Sequence, residues 1–140
     1  MIPSGKTIIV DASVAVKWVC EEVGSDRAAA LLHGYSLAAP VVWLIEAANA
    51  IWRRARRGEL TPAEAHERVA ALSTAPIRAV DPAELVPDAV TIACDLGHPV
   101  YDCLYLVAAM RQNGHIVTAD RRFHAVAAAR AVFAGIISLL

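Results

Sequence analysis

Two aspartates stand directly after short oily runs near opposite ends of the chain. Asp11 follows Ile8-Ile9-Val10, and Asp120 follows Ile116-Val117-Thr118-Ala119. Short apolar runs rich in β-branched residues read as buried strands, as in a parallel sheet. In such a sheet, active sites lie outside the carboxyl ends of the strands. Neighbouring parallel strands are about 4.8 Å apart, so two central strands bring Asp11 and Asp120 close enough to converge on one ion. Two further acids belong with them. Glu46 sits inside the oily segment APVVWLIEAANAIW, and on a helix it shares a face with Asn49, Ala50 and Arg53. Asp102 opens VYDCLYLVAAM at the N-terminal end of a second oily helix. Helix N-termini in this architecture sit near strand C-termini, so Asp102 points to the same edge.

Carboxylates gathered at close range raise one another's proton affinity. A hard divalent cation offsets that repulsion, because its charge dominates the site. Ligands that are all oxygen suit magnesium or manganese rather than zinc. One such ion activates water and stabilises charge on a phosphate, and two ions about 3.5–4 Å apart do both at once. Hydrolysis of a phosphodiester is the matching reaction class. Each acid also has a plainer reading. Asp11 and Asp102 each stand where a helix cap would, and Asp120 before Arg121-Arg122 reads equally as a cap or a surface ion pair. Glu46 pairs with Arg53 or faces solvent, although an unpaired glutamate on an oily helix face is disfavoured.

The elements that must carry these acids alternate between strand and helix. Strand candidates are Lys6 to Val10, Ser36 to Ala39, Ile77 to Val80 and His115 to Thr118, with a last one at Val132-Phe133 or Ile136 to Leu139. Helices are expected from residue 12 onward, from Ser25 (as cap) to His33, and from about Val41 to Arg57 with Pro40 in the first turn. Thr61-Pro62-Ala63-Glu64 is a capping box with proline at the first helical position, starting a helix that ends near Ser73. Further helices are expected over Asp88 to Leu96, Tyr101 to Asn113 and Arg122 to Ala128. This alternation predicts a three-layer α/β/α sandwich around a mostly parallel sheet of about four or five short strands, with right-handed crossovers. A length of 140 residues predicts one domain, residues 1–140.

Composition narrows the function classes. The net charge of −1 removes a global attraction to polyanions, so any such contact rests on local patches. Arg53, Arg54, Arg56 and Arg57 form one, reaching either a phosphate backbone or solvent at a helix end. Three cysteines make no disulfide framework and fit a reducing compartment. Cys94-x3-His98-x4-Cys103 lacks a fourth zinc ligand. No basic-then-oily leader and no membrane-length apolar run is present, so a soluble cytoplasmic protein is expected. The apolar share of 57% is high enough to suggest an extra buried surface, at a core or partner interface that Trp18, Trp43 and Trp52 would furnish. A phosphatase of the haloacid dehalogenase class requires an aspartate where this chain has Ser13, and a phosphoacceptor domain requires a late lysine that is missing. No glycine-rich phosphate loop occurs.

The pieces IIVDASVAVKWV (8–19), VVWLIEAANAIWR (41–53), YDCLYLVAAM (101–110) and IVTADRRF (116–123), in this order, make the chain resemble the PIN-domain proteins, specifically the VapC toxin group of toxin–antitoxin pairs. The resemblance implies a metal-dependent endoribonuclease acting on structured RNA such as transfer or ribosomal RNA. It implies that Asp11, Glu46, Asp102 and Asp120 bind magnesium, with manganese able to substitute, at the C-terminal edge of the sheet. Ser13 and Thr118 take the positions of the family's small hydroxyl residues, and with Asn49 they would hold carboxylates or ligand water in place. Where some relatives carry a further acid, this chain has Arg121 and Arg122, which weakens the case for a second ion and offers contacts to substrate phosphate. The implied partners are RNA, a cognate small antitoxin and a second copy in a homodimer, with a higher hetero-oligomer when antitoxin is bound. The alternative is a non-catalytic PIN-like protein that binds RNA or a partner.

Overall fold

Three hydrophobic strands lie side by side at the centre of the molecule, and almost nothing of them reaches solvent. The computed structural model describes residues 2–140. Strands β1 (Ile8–Val10), β2 (Leu37–Pro40), β3 (Ile77–Val80), β4 (His115–Thr118) and β5 (Ile137–Leu139) form one sheet in the order β3-β2-β1-β4-β5. Every neighbouring pair is parallel. β1, β2 and β4 are buried along their whole length, whereas β3 and β5 lie at the edges and are partly exposed. β-Branched Ile8, Ile9, Val10, Ile116, Val117 and Thr118 suit the pleated interior. The Leu-Ala-Ala-Pro of β2 has weak strand propensity, and its pairing on both sides decides its conformation.

The helices are α1 (Ala12–Ala15), α2 (Ser25–Ala30), α3 (Val42–Arg56), α4 (Pro62–Leu72), α5 (Val86–Leu96), α6 (Val100–Arg111), α7 (Arg121–Ala128) and α8 (Ala131–Ala134), with short 3-10 turns at Val16–Trp18 and Pro82–Glu84. The chain leaves β1 toward β2 and β3, then crosses back to β4 and β5. With right-handed crossovers, this order puts α1–α4 on one face and α5–α8 on the other. Between β1 and β4 the winding direction reverses, which opens a crevice at the carboxyl ends of those two strands. Among the described residues, no helix is long and apolar enough to cross a membrane.

Helix α6 is the central pillar. Cys103 to Ala109 are all buried, because the helix packs against β1, β2, β4 and α5. Asp102 therefore stands at the last position before the chain enters the core. Gly97 ends α5 in the left-handed region (φ 62°), which tolerates glycine best, and Pro99 then caps α6. Thr61 and Glu64 make the reciprocal capping-box bonds that start α4. Gly114 enters β4 with no room for a side chain, since a Cβ there would meet the Thr7 carbonyl oxygen at 2.9 Å.

Several local expectations need correction. Pro40 closes β2 instead of opening a helix, because Val41 donates its N–H to the Val80 carbonyl and extends the ladder by one bond. Ser25 is the first helical residue and Gly24 (φ 91°) is the cap; the Ser25 hydroxyl instead accepts from the Glu22 N–H. Val132-Phe133 lies in α8, so the final strand is the second alternative.

Candidate active site

The crevice between β1 and β4 holds a cavity of about 430 Å³ lined by Asp11, Glu46, Asp102 and Asp120. Two of these acids come from strand ends and two from helices. Asp11 leaves β1 at the cap position of α1, yet its side chain makes no capping bond. Its Oδ2 instead accepts from the Ser13 hydroxyl at 2.7 Å and the Thr118 hydroxyl at 2.6 Å. The two hydroxyls are fixed in turn: Ser13 Oγ accepts from the Ala119 N–H (2.9 Å), and Thr118 Oγ1 accepts from the Asp120 N–H (3.0 Å). These bonds stitch the ends of β1 and β4 together around a nearly inaccessible carboxylate. Hydrogen bonds to a charged group contribute about 1.5–3 kcal/mol each, so both hydroxyls matter to the local fold.

Asp120 fulfils its plainer reading and keeps its place at the cavity wall. Its Oδ1 accepts from the Phe123 N–H at 3.0 Å, capping α7, while the residue lines the cavity. Asp102 is in the first turn of α6 and caps nothing; its Oδ2 lies 2.5 Å from His98 Nε2. An ionised carboxylate only accepts, so the ring presents its Nε2 proton. His98 is itself buried and stacked on Phe123, with ring centroids 5.6 Å apart. Glu46 projects from α3 between the buried Trp43, Ala47 and Ile51 stripe and the cavity. It accepts from the Tyr105 hydroxyl at 3.0 Å, so it pairs with neither Arg53 nor bulk water alone.

The electrostatics report crowding. Burial pushes Asp11 above the ordinary 3.8, with the Asp102 and Asp120 charges adding to the rise and the Thr118 and Ser13 hydroxyls opposing it. Burial likewise pushes Glu46 up to about 7, the Tyr105 bond pulling it down and the Asp11 and Asp102 charges pushing it further up. Both shifts have the sign that a neighbouring cation would reverse. The donors are all oxygen, the set that hard divalent ions take. Among the described residues, no three His, Cys, Asp or Glu side chains close on a single point as a finished metal cage. The cavity thus gathers ligands of the right chemistry around a common space. Burial also raises the Cys103 thiol to about 11, which leaves no thiolate nucleophile beside Asp102.

Of the other residues singled out by sequence, Ser13 and Thr118 hold Asp11 as described, whereas Asn49 is exposed on α3 and outside the cavity lining. Arg53, Arg54 and Arg57 line the cavity. Arg54 is ion-paired with Glu22, and Arg57 with Glu59 at 2.8 Å. Arg56 turns away, its guanidinium 4.9 Å above the Trp52 ring. Arg121 and Arg122 are exposed in the first turn of α7. Sequence reasoning missed His98, Tyr105, Lys17 and Glu22. The first was visible as a histidine four residues before Asp102, a helical-turn spacing. Tyr105 carries the polar handle of an otherwise apolar buried run.

Comparison with known proteins bears on this arrangement. Residues 8–129 match the family model of the PIN domain. Ribonuclease VapC3 of Pyrobaculum aerophilum is 31% identical over 118 residues, which cover 82% of this chain and 90% of the relative. The crystal structure of Mycobacterium tuberculosis VapC20, described as a sarcin-ricin loop cleaving toxin, superposes with a TM-score of 0.64 at 16% identity, over 84% of this chain and 93% of that one. VapBC2 from Rickettsia felis, solved bound to a DNA fragment from its promoter, gives a TM-score of 0.63 at 11% identity, over 95% and 98%. At these low identities the two structural likenesses are likenesses of fold.

Proposed function

Since the chain belongs to the PIN-domain family, we propose that it is a metal-dependent endoribonuclease, the toxin of a toxin–antitoxin pair, which hydrolyses phosphodiester bonds in structured RNA. The observation that carries this reading is the convergence of Asp11, Glu46, Asp102 and Asp120 on one cavity at the switch point of the sheet. The likeness to a relative named as a ribonuclease supports the RNA substrate. An antitoxin partner is supported by the similarity to a toxin–antitoxin complex, and a homodimer is part of the same proposal.

In this reading the four carboxylates hold magnesium or manganese, which supplies charge neutralisation at the phosphate and a more acidic water. The chain's own residues do the positioning. Ser13 and Thr118 keep Asp11 in a single orientation, and His98 and Tyr105 do the same for Asp102 and Glu46. Such support determines how well a ligand carboxylate stays placed. Arg53, Arg54 and Arg57 stand on the wall where an approaching phosphate backbone would pass.

The test is purified, antitoxin-free protein incubated with total cellular RNA in magnesium, manganese or chelator, beside the Asp102→Asn variant. Discrete products that disappear in chelator and in the variant are expected. Cleavage by the variant at the native rate would refute the site. A folded native protein that neither cuts RNA nor binds manganese would favour the partner-binding alternative.

A further inference from the structure

Next to the acidic cavity lies a second, smaller groove of about 190 Å³, and its chemistry is the opposite. The two share Lys17 and Ala119 in their walls, so they are neighbours. The smaller groove is lined by Lys17, Arg27 and Arg121 together with aliphatic Val23 and Leu139. None of its lining side chains is acidic. Among the described residues, Arg27 and Arg121 enter no ion pair, in contrast to Arg54, Arg57, Arg111 and Arg130, which do. Lys17 stands at the junction, bonded to Glu22 on the acidic side.

Two of these cations approach the same bare stretch of backbone. A Cβ built on Gly24 would lie 3.5 Å from the Arg27 guanidinium and 3.6 Å from the Lys17 stem. Among the described residues, Lys17 has one carboxylate partner, Glu22, and Arg27 has none, so the cations here outnumber the carboxylates and favour an anion in the shared space. Burial first, then the Arg54 and Arg27 charges, hold the Lys17 ammonium below the ordinary 10.5. Beside the cations, Val23 is 88% exposed and Leu139 42% exposed, an apolar surface with nothing against it. Unpaired cations set beside aliphatic side chains match a nucleotide, whose phosphate is anionic and whose base has an apolar face.

Building on the nuclease reading, we propose that this groove is the subsite for the nucleotide flanking the scissile bond, with Arg27 and Arg121 binding its phosphate and Val23 and Leu139 carrying its base. The RNA strand then leaves the acidic cavity past Lys17 toward β5, not only along the arginines of α3. Those α3 arginines are partly neutralised by Glu22 and Glu59, whereas Arg27 and Arg121 need surrender no partner to bind phosphate.

The test measures binding of a labelled, single-stranded RNA of mixed sequence as a function of salt, in an Asp102→Asn background that prevents cutting. Each phosphate contact contributes about 0.7 to the slope of log affinity against log salt for a single strand. Arg27→Ala with Arg121→Ala is expected to lower that slope by about 1.4. With Asp102 restored, the same pair of changes is expected to raise KM for RNA far more than it lowers kcat. Lysine at both positions should restore the slope, and Arg130→Ala, distant and paired with Asp95, should leave it unchanged. If the background protein binds RNA and the alanine pair leaves its slope intact, the groove is not the track and the nuclease reading survives. If no RNA binds at any salt, the groove is not an RNA subsite, and the nuclease reading is decided by the cleavage of total cellular RNA.

Discussion

The two halves of the acidic cavity are built by different means. On the strand side, Asp11 is locked by two hydroxyls that are themselves held by backbone N–H groups, and Asp120 is tied to the start of α7. On the helix side, Glu46 and Asp102 each have one side-chain partner, Tyr105 and His98, and are more accessible than Asp11. The strand half is fixed by the sheet itself, because the ladder that pairs Val10 with Val117 also sets the distance between the two acids' anchors. The helix half depends on how α3 and α6 pack. The sheet therefore supplies precision, and the helices supply carboxylates with some freedom to settle around a ligand.

Three interventions would break or sharpen that contrast. The largest effect is expected from Asp11→Asn. Cleavage should fall by roughly a thousandfold or more, while thermal stability in chelator stays at least native, because a repelled buried charge has been removed. Magnesium should then raise the melting temperature less than it does in the native protein. A variant that unfolds in chelator would mean that the carboxylate's charge is needed for the fold.

Next comes a paired comparison. Thr118→Val keeps the shape but leaves the Asp120 N–H without its acceptor and Asp11 with one donor fewer. Leaving such a buried group unsatisfied costs about 1–3 kcal/mol, so scanning calorimetry should show a fall of roughly 3–10 °C. Tyr105→Phe removes a single bond to a half-buried glutamate, and about 1 kcal/mol or less is expected. Equal losses in the two variants would erase the distinction between the halves.

The smallest effect concerns pH. The folded chain holds the Glu46 proton up to about 7, against an ordinary 4.5, so it binds that proton more tightly than the unfolded chain does. The stability this contributes is complete below 4.5 and is lost as pH rises through about 7. In chelator the melting temperature should therefore decline across this window, and saturating magnesium should flatten the decline. A chelator profile that rises instead would contradict the crowding of carboxylates.

Much of this could be read from residue order. The runs before Asp11 and Asp120, the Thr61 capping box and the strands at Ile77–Val80 and His115–Thr118 follow from local chemistry that tertiary packing did not overrule. β2 was marginal because two alanines and a proline carry little strand preference, and only its neighbours on both sides make it a strand. Ser25 misled because its hydroxyl serves the turn before the helix. The four acids could be named individually, but which plainer role each also performs could not. Asp120 caps a helix, Asp11 occupies a cap position without capping, and Asp102 does neither. The His98–Asp102 pair follows a local four-residue spacing, whereas the Tyr105 bond to Glu46 joins segments 59 positions apart, a relation that no local pattern encodes.

The pairing of β1 with β4 also sets a schedule. Asp11 and the Thr118 that holds it are separated by 107 positions. While the chain is being made, β1 has only β2 available beside it, and its other edge stays open until His115 to Thr118 emerge. A nascent chain halted before that point has three of the four acids but no β4 against which to align Asp11. The cavity can therefore be assembled only once β4 has been made, by which point the elements from β1 to α6 are already present.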